Sequence, residues 1–383
     1  MKILVTGATG FIGAAVARKL SRQGHEVVAL SRSDPAAAKL RAVGLTPIAG
    51  DFADPASLAG PAAQVDAVVS TASIGQVEGT PEGFAKDRDA MAVMTKALGD
   101  SGKPLIFTSG SAIFGVFTKG EASPTIFDED HPVPLPASVF APPEAGIPPP
   151  FIEAFGSSMV PRAETETAVL RAAGIRGIAI RPGLVFGEGR GYDLPNLIAL
   201  TKTHGVAPHL GAGGVRQGYV HIDDLVELYV LALERAPAGT MLHAVTDEIA
   251  LGDLAAAVSR LVRAAGRTET WSLMEMYARG GGRGVSLSVN KRLASEKTRR
   301  VLDWAPTRYD ILEDVEHGSY KEATHGRANA SEDRIGTVLE PRAEGAEASG
   351  ALRRRAGDWE NRAGEPDTRS KVGRAGKGAS STD

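Results

Sequence analysis

Short apolar runs alternate with alanine-rich stretches of helical period through the first 110 residues. Strands are expected at residues 2–6, 26–30, 45–49, 67–71 and 105–109, with helical patterns such as 14–22 and 84–99 between them. Strands that alternate with helices imply crossover connections and a parallel sheet. Nearly every position in these strands is apolar, which fits a sheet covered on both faces. The expected fold class is α/β, with a doubly wound parallel sheet.

The pattern breaks at 131–150, where eight of twenty residues are proline. Such a segment is expected to be a long extended loop, either a surface connection or a lid over the site. Beyond it, residues 162–173 read as a helix and 175–181 as a buried strand. Residues 190–320 mix short helices and strands and predict a smaller, less regular domain. From 321 to 383 the only large apolar residues are Ile335, Val338, Leu339, Leu352, Trp359 and Val372. Six in 63 residues cannot offset the entropy of ordering the chain, so this tail is expected to be disordered. The expected division is therefore 1–190, then 191–320 partly interleaved with it, then the tail 321–383.

One glycine-rich stretch carries candidate chemistry. Val5-Thr6-Gly7-Ala8-Thr9-Gly10-Phe11-Ile12-Gly13 follows the first strand and opens a helix. Glycines at 7, 10 and 13 permit a tight turn and let backbone amides approach a pyrophosphate. The helix N-terminus adds partial positive charge. Strand, loop, helix and second strand together form the context a dinucleotide site requires. Thr9, Phe11 and Ile12 belong to the same loop. At the end of the second strand, an acidic residue would favour NAD. This chain has Ser31-Arg32-Ser33 instead, which can meet a 2′-phosphate, so NADP(H) is favoured over NAD(H). Asp51 and Phe52 end the third strand, where one could accept from an adenine amino group and the other pack on the ring. Thr71-Ala72-Ser73 ends the fourth, and its small residues leave room for ribose and pyrophosphate.

Further segments extend this reading. TGATGFIG at the start, GDFADPASL at 50–58, TSGSAIFG at 108–115, RPGLVFGEG at 181–189 and VHIDDLVELYVLALE at 220–234 stand in a telling order and spacing. With NKRLASEKTRRVLDWAPT at 290–307, they make residues 1–320 resemble the extended short-chain dehydrogenase/reductases, also called NAD-dependent epimerase/dehydratases. The resemblance implies a cofactor on the doubly wound sheet and a C-terminal substrate domain. Pro182 and Leu184 are further candidate cofactor contacts.

The resemblance also implies a catalytic Tyr and Lys four residues apart on the helix after the fifth strand, with a Ser at that strand's end. The Tyr would exchange the proton and the Lys would tune it. This chain has no tyrosine before Tyr192 and no lysine between Lys119 and Lys202. If Glu164 matches the family's helix glutamate, Gly156 and Val160 stand at the Tyr and Lys positions. If Glu166 matches it, Ser158 and Arg162 do. The Ser position falls on Gly110, between Ser109 and Ser111. Such departures point to the atypical short-chain dehydrogenase/reductases. Ser109 and Ser111 remain candidate substrate contacts. Arg162 could stabilise an oxyanion but cannot donate a proton at neutral pH. Tyr192 is the earliest phenol available as proton donor. In this family His221-Ile222-Asp223-Asp224 is chiefly a fold signature, with the histidine under the site and an aspartate capping the next helix.

Composition limits the alternatives. Apolar residues make up 43%, charged residues 23%, and the net charge is -3. A near-neutral chain is a poor nucleic-acid partner. There is no cysteine, which removes disulfides and thiolate chemistry and fits a cytoplasmic location. No run suits a signal peptide or a membrane span. No histidine–carboxylate cluster has metal-ligand spacing, so no metal is expected. The reading is an NAD(P)-binding oxidoreductase or epimerase-like protein acting on a small carbonyl or hydroxyl substrate. The alternative is a non-catalytic NADP(H)-binding sensor. By analogy with relatives, a homodimer is expected.

Overall fold

Strand and helix alternate through the first half of the chain: β1 (Lys2–Thr6), α1 (Phe11–Arg22), β2 (Glu26–Ser31), α2 (Asp34–Ala42), β3 (Thr46–Ala49), α3 (Ala59–Ala63), β4 (Ala67–Ser70), α4 (Ile74–Glu78), α5 (Pro81–Leu98) and β5 (Pro104–Thr108). These assignments come from a computed structural model that describes residues 1–133 and 149–325. β6 (Val116–Phe117) and α6 (Pro149–Arg171) lead into β7 (Arg176–Pro182). Then come β8 (Leu184–Gly187), β9 (Arg190–Gly191), α7 (Asp193–His204), β10 (Ala207–Leu210), β11 (Arg216–His221), α8 (Ile222–Arg235) and β12 (Thr240–Ala244). The remaining elements are β13 (Asp247–Ala250), α9 (Leu251–Leu261), β14 (Thr268–Trp271), α10 (Leu273–Leu287), β15 (Val289–Asn290), α11 (Glu296–Leu302), α12 (Ile311–Glu316) and α13 (Ser319–His325). Among the described residues, 1–133 and 152–325 fall in one compact unit.

Seven strands form one parallel sheet in the order β12-β7-β5-β4-β1-β2-β3. The chain runs from β1 outward to β3, then returns to β4 on the other side of β1. That reversal opens a crevice beyond the carboxyl ends of β1 and β4, where open α/β sheets take ligands. Strand alternation divides the core in two. Ile3 and Val5 of β1 pack with Val16 and Leu20 of α1 and with Leu225 and Tyr229 of α8. Leu4 faces the other way and joins Leu58, Met91, Met94 and Val169. Each such buried aliphatic side chain contributes about 1.5–3 kcal/mol.

A further core gathers Phe186, Leu197, Tyr219, Leu254, Trp271, Met276 and Tyr320. It lies around a four-stranded sheet ordered β13-β11-β8-β9. The chain does not stay there. α8 packs on the β1 side of the large sheet and β12 extends that sheet beside β7.

Two sequence expectations need correcting. The helix expected over 162–173 begins at Pro149 and ends at Arg171. Pro149 and Pro150 therefore belong to a helix, although the proline-rich segment predicted none. Proline is tolerated in a first turn because those amides have no intrahelical acceptor. Residues 134–148 of that segment lie outside the described residues. The tail expected from 321 starts inside α13, whose Tyr320 is 1% exposed. The rest of the expected tail, 326–383, lies outside the described residues.

Candidate functional site

The glycine loop is built for close backbone approach. Gly7 has φ 72°, and a Cβ there would sit 2.8 Å from both the Ala72 amide and Thr71 Oγ1. A Cβ on Gly13 would lie 2.3 Å from the Gly7 carbonyl oxygen and 2.5 Å from Thr71 Oγ1. Thr71 and Ala72 thus form the floor of the loop. The Thr71 hydroxyl donates to the Thr6 carbonyl at 2.7 Å, and the Ala72 amide donates to Thr6 Oγ1 at 3.1 Å. No side chain caps the first turn of α1, which starts after Gly10. Its amides and the positive end of its dipole face outward, as an anion site requires. Thr9 and Gly10 are exposed, while Phe11 and Ile12 turn partly onto the core.

A cavity of about 460 Å³ opens at the ends of β2 and β3. Ser31, Arg32, Ser33, Arg41, Asp51 and Asp54 line it, among others. Arg41, from the last turn of α2, escaped the sequence reading because its motif neighbours say nothing about where α2 ends. Ser31 donates to the Ser33 carbonyl and Ser33 caps α2, so both serines also shape the wall. Asp51 accepts from the Ala53 amide. Phe52 does not line this cavity. It is 5% exposed and joins the core beside Leu4 and Leu58, against the expectation that it stacks on adenine.

A second polar cluster stands at the ends of β4 and β5. Ser73 caps α4 and donates to Asp87 Oδ2 at 2.5 Å. The Ile74 and Gly75 amides also donate to Asp87. Burial raises the Asp87 pKa, against the lowering by these bonds. Gln76 follows in α4 and accepts from Arg162 Nη1 at 3.3 Å. Arg162 comes from α6. It is buried, its guanidinium lies 5.2 Å from the Phe84 ring, and its Nε has no partner among the described residues. Desolvation pulls its pKa down, while Glu166 and Asp87 support the charge. Ser109 is buried with an unpartnered Oγ, and Ser111 is buried next to it. A Cβ on Gly110 would stand 3.4 Å from Arg162 Nη2.

Tyr192 closes the cluster. The Arg283 guanidinium stacks 4.6 Å from its ring. Burial of the hydroxyl, with help from Asp193, raises its pKa, while Arg283 and Gln76 act on the hydroxyl to lower it. The positive φ of Gly281 (58°) kinks α10 just before Arg283. Four of the proposed substrate contacts thus gather near one another, and two residues missed in the sequence, Gln76 and Arg283, join them. Neither carried a motif; only the tertiary fold brings α4 and α10 to Tyr192.

The neighbouring elements are fastened by buried polar pairs. Glu166 of α6 accepts from Arg181 of β7 through both oxygens, at 2.9 and 2.6 Å. Glu164 is exposed and pairs with Arg88. Pro182 is buried at the end of β7 and Leu184 is half-buried at the start of β8. His221 itself caps α8 by accepting from the Asp223 amide at 3.1 Å. An aspartate was expected to do so; of the two that follow, Asp224 instead accepts from the Thr307 and Arg308 amides. No group of three His, Cys, Asp or Glu side chains among the described residues is arranged for a metal ion. No helix among them is long and apolar enough to cross a membrane.

Comparison with known proteins agrees with this architecture. An uncharacterized protein of Schizosaccharomyces pombe is 30% identical over 84% of this chain and 100% of its own length. A 3-diazoavenalumate denitrifying reductase of Streptomyces is 26% identical over 80% of the chain and 96% of that protein. The crystal structure of DesIV, a dTDP-glucose 4,6-dehydratase from Streptomyces venezuelae with NAD and TYD bound, superposes with a TM-score of 0.63 at 18% identity. That match covers 85% of this chain and 98% of DesIV. The model of the NAD dependent epimerase/dehydratase family matches residues 3–244, from β1 to the end of β12. The chain belongs to the NAD dependent epimerase/dehydratase family.

Proposed function

We propose that this protein is an NADP(H)-dependent reductase of a small carbonyl compound. The observation that carries the proposal is the cluster at the ends of β4 and β5, where Ser109 Oγ and Arg162 Nε are buried without partners. Buried polar atoms are normally satisfied, so donors left open at a strand end favour a ligand that completes them. The similarity to a Streptomyces reductase favours reduction over epimerisation.

The residues fit the cofactor by shape and charge. The loop leaves no room for a side chain at Gly7 or Gly13, and the uncapped α1 offers amides to a pyrophosphate. Arg32 and Arg41 flank a cavity large enough for an adenosine end and can pair with a 2′-phosphate. Asp51, Ser31 and Ser33 would border the same group. Thr71, Ala72, Ser73, Pro182 and Leu184 would line the path toward the second cluster. The cofactor, when bound, supplies the hydride.

The protein then has one proton to handle and one substrate to hold. Ser109 donates to the substrate oxygen, with Ser111 beside it. The Tyr192 phenol carries its proton at neutral pH with or without burial, so it can donate, although burial raises its pKa further from neutrality. Gln76 and Arg283 orient that hydroxyl. Burial of Glu166 against Arg181 supports the alignment that places Ser158 and Arg162 at the family's Tyr and Lys positions. Arg162 would place a positive charge beside the bound substrate.

The test is NADPH oxidation across a panel of aldehydes and ketones. Ser109→Ala and Tyr192→Phe should each lower kcat by about 10- to 100-fold with nucleotide affinity unchanged. Tight NADPH binding with no turnover on any carbonyl would contradict the enzyme and favour a sensor.

A further inference from the structure

Among the described residues, the charge around the second cluster does not balance. Arg162 and Arg181 are both buried there, and Arg283 closes the cluster over Tyr192. The acidic groups near Arg162 are Glu166 and Asp87. Glu166 is already neutralised by its two-oxygen pair with Arg181. Asp87 is occupied by Ser73 and two backbone amides. Asp193, next to Tyr192, pairs with buried Lys291 at 3.2 Å. Among the described residues, three arginines thus face two carboxylates, and one positive charge is left over.

The guanidinium groups of Arg162 and Arg283 make no ion pair with any described carboxylate in direct contact. Their contacts are an amide oxygen, a phenol and two aromatic rings. A buried guanidinium with an open N–H and no counterion is costly unless an anion completes it. Ribose hydroxyls of a cofactor could fill the open N–H of Arg162 but are neutral and leave the charge standing.

Resting on the reductase reading, we infer that the substrate is an acidic carbonyl compound, whose carboxylate sits between Arg162 and Arg283 beside Tyr192. Guanidinium groups bind carboxylates by charge-assisted, often bidentate hydrogen bonds. The carboxylate would lie against the positive wall while the carbonyl oxygen faces Ser109. Hydride from NADPH reduces the carbonyl carbon to an alcohol, its oxygen takes the proton, and NADP⁺ is released. The carboxylate is unchanged.

The experiment is calorimetric binding to the full chain saturated with NADP⁺. The probes are pyruvate, acetoacetate and phenylglyoxylate, each against its own methyl ester. At least one acid should bind about tenfold or more tightly than its ester. Arg283→Met should erase most of that preference and Arg283→Lys should restore part of it. Arg283 is half-buried, so these variants keep the fold, which a melting curve verifies. The positive nicotinamide is common to all variants and cannot produce the difference between them. Equal affinity for acid and ester, no binding by any probe, or a preference indifferent to Arg283 would overturn the inference. Acid preference without NADPH turnover would sustain it and sink the reductase reading. Turnover of neutral ketones without acid preference would do the reverse.

Discussion

At the scale of single residues, the glycine loop is the most constrained part of the chain. Gly13→Ala puts a methyl group 2.3 Å from a backbone oxygen that cannot move aside cheaply. The loop must shift, so nucleotide affinity should fall by more than about tenfold, read by titration of nicotinamide fluorescence. His243 makes a different prediction. It accepts from Arg181 at 3.2 Å through Nε2 and contacts the Ala294 carbonyl at 2.9 Å through Nδ1, which fits a neutral ring. Burial and Arg181 push its pKa down from 6.5 to about 3. Between those values the unfolded chain binds the extra proton, so stability rises with pH. The contribution is complete above about pH 6.5 and is lost as pH falls toward 3. The melting temperature of His243→Asn should therefore fall less steeply than that of the parent on acidification through this window. Local geometry was legible in the sequence where it depends on neighbours in the chain, as at Gly7, whose positive φ the glycine spacing anticipates. It was illegible where it depends on the fold. Phe52 reads as an adenine partner but points into the core, while Arg41, Gln76 and Arg283 carry no local signature.

At the scale of elements, α6 and β7 are joined by the Glu166–Arg181 pair, with side chains 2% and 4% exposed. Arg181→Leu leaves a buried carboxylate alone and should cost about 3–5 kcal/mol in urea unfolding. The loop that delivers Tyr192 is tied from the far end of the chain. The Tyr320 hydroxyl accepts from the Gly187 amide and donates to the Arg190 carbonyl. Tyr320→Phe should cost about 1–3 kcal/mol and lower kcat more than nucleotide affinity, since the loop serves the substrate side. The expected strands of the large sheet lie within a residue of those found, because buried parallel strands are apolar throughout. The start of α6 was hidden because its first residues are prolines, which sequence patterns treat as breakers although a first turn accepts them.

At the scale of the molecule, strand order decides where function can sit. The reversal between β1 and β4 places the glycine loop, the Arg32 cavity and the Ser109 cluster at the carboxyl ends of neighbouring strands. Alternation of strand and helix was enough to anticipate this sheet. The second core could not be drawn from sequence, because its short elements pair across long separations, as in Gln217 with the carbonyl of Val289. The central claim is that this crevice binds NADP(H) through Arg32 and its neighbours. The most direct measurement is a titration of the purified protein with NADPH and NADH, read by nicotinamide fluorescence and by the shift in melting temperature. A preference for NADPH of about tenfold or more, reversed or abolished in Arg32→Asp, is the expected result. Binding of neither nucleotide, or a preference for NADH that Arg32→Asp leaves unchanged, would contradict it.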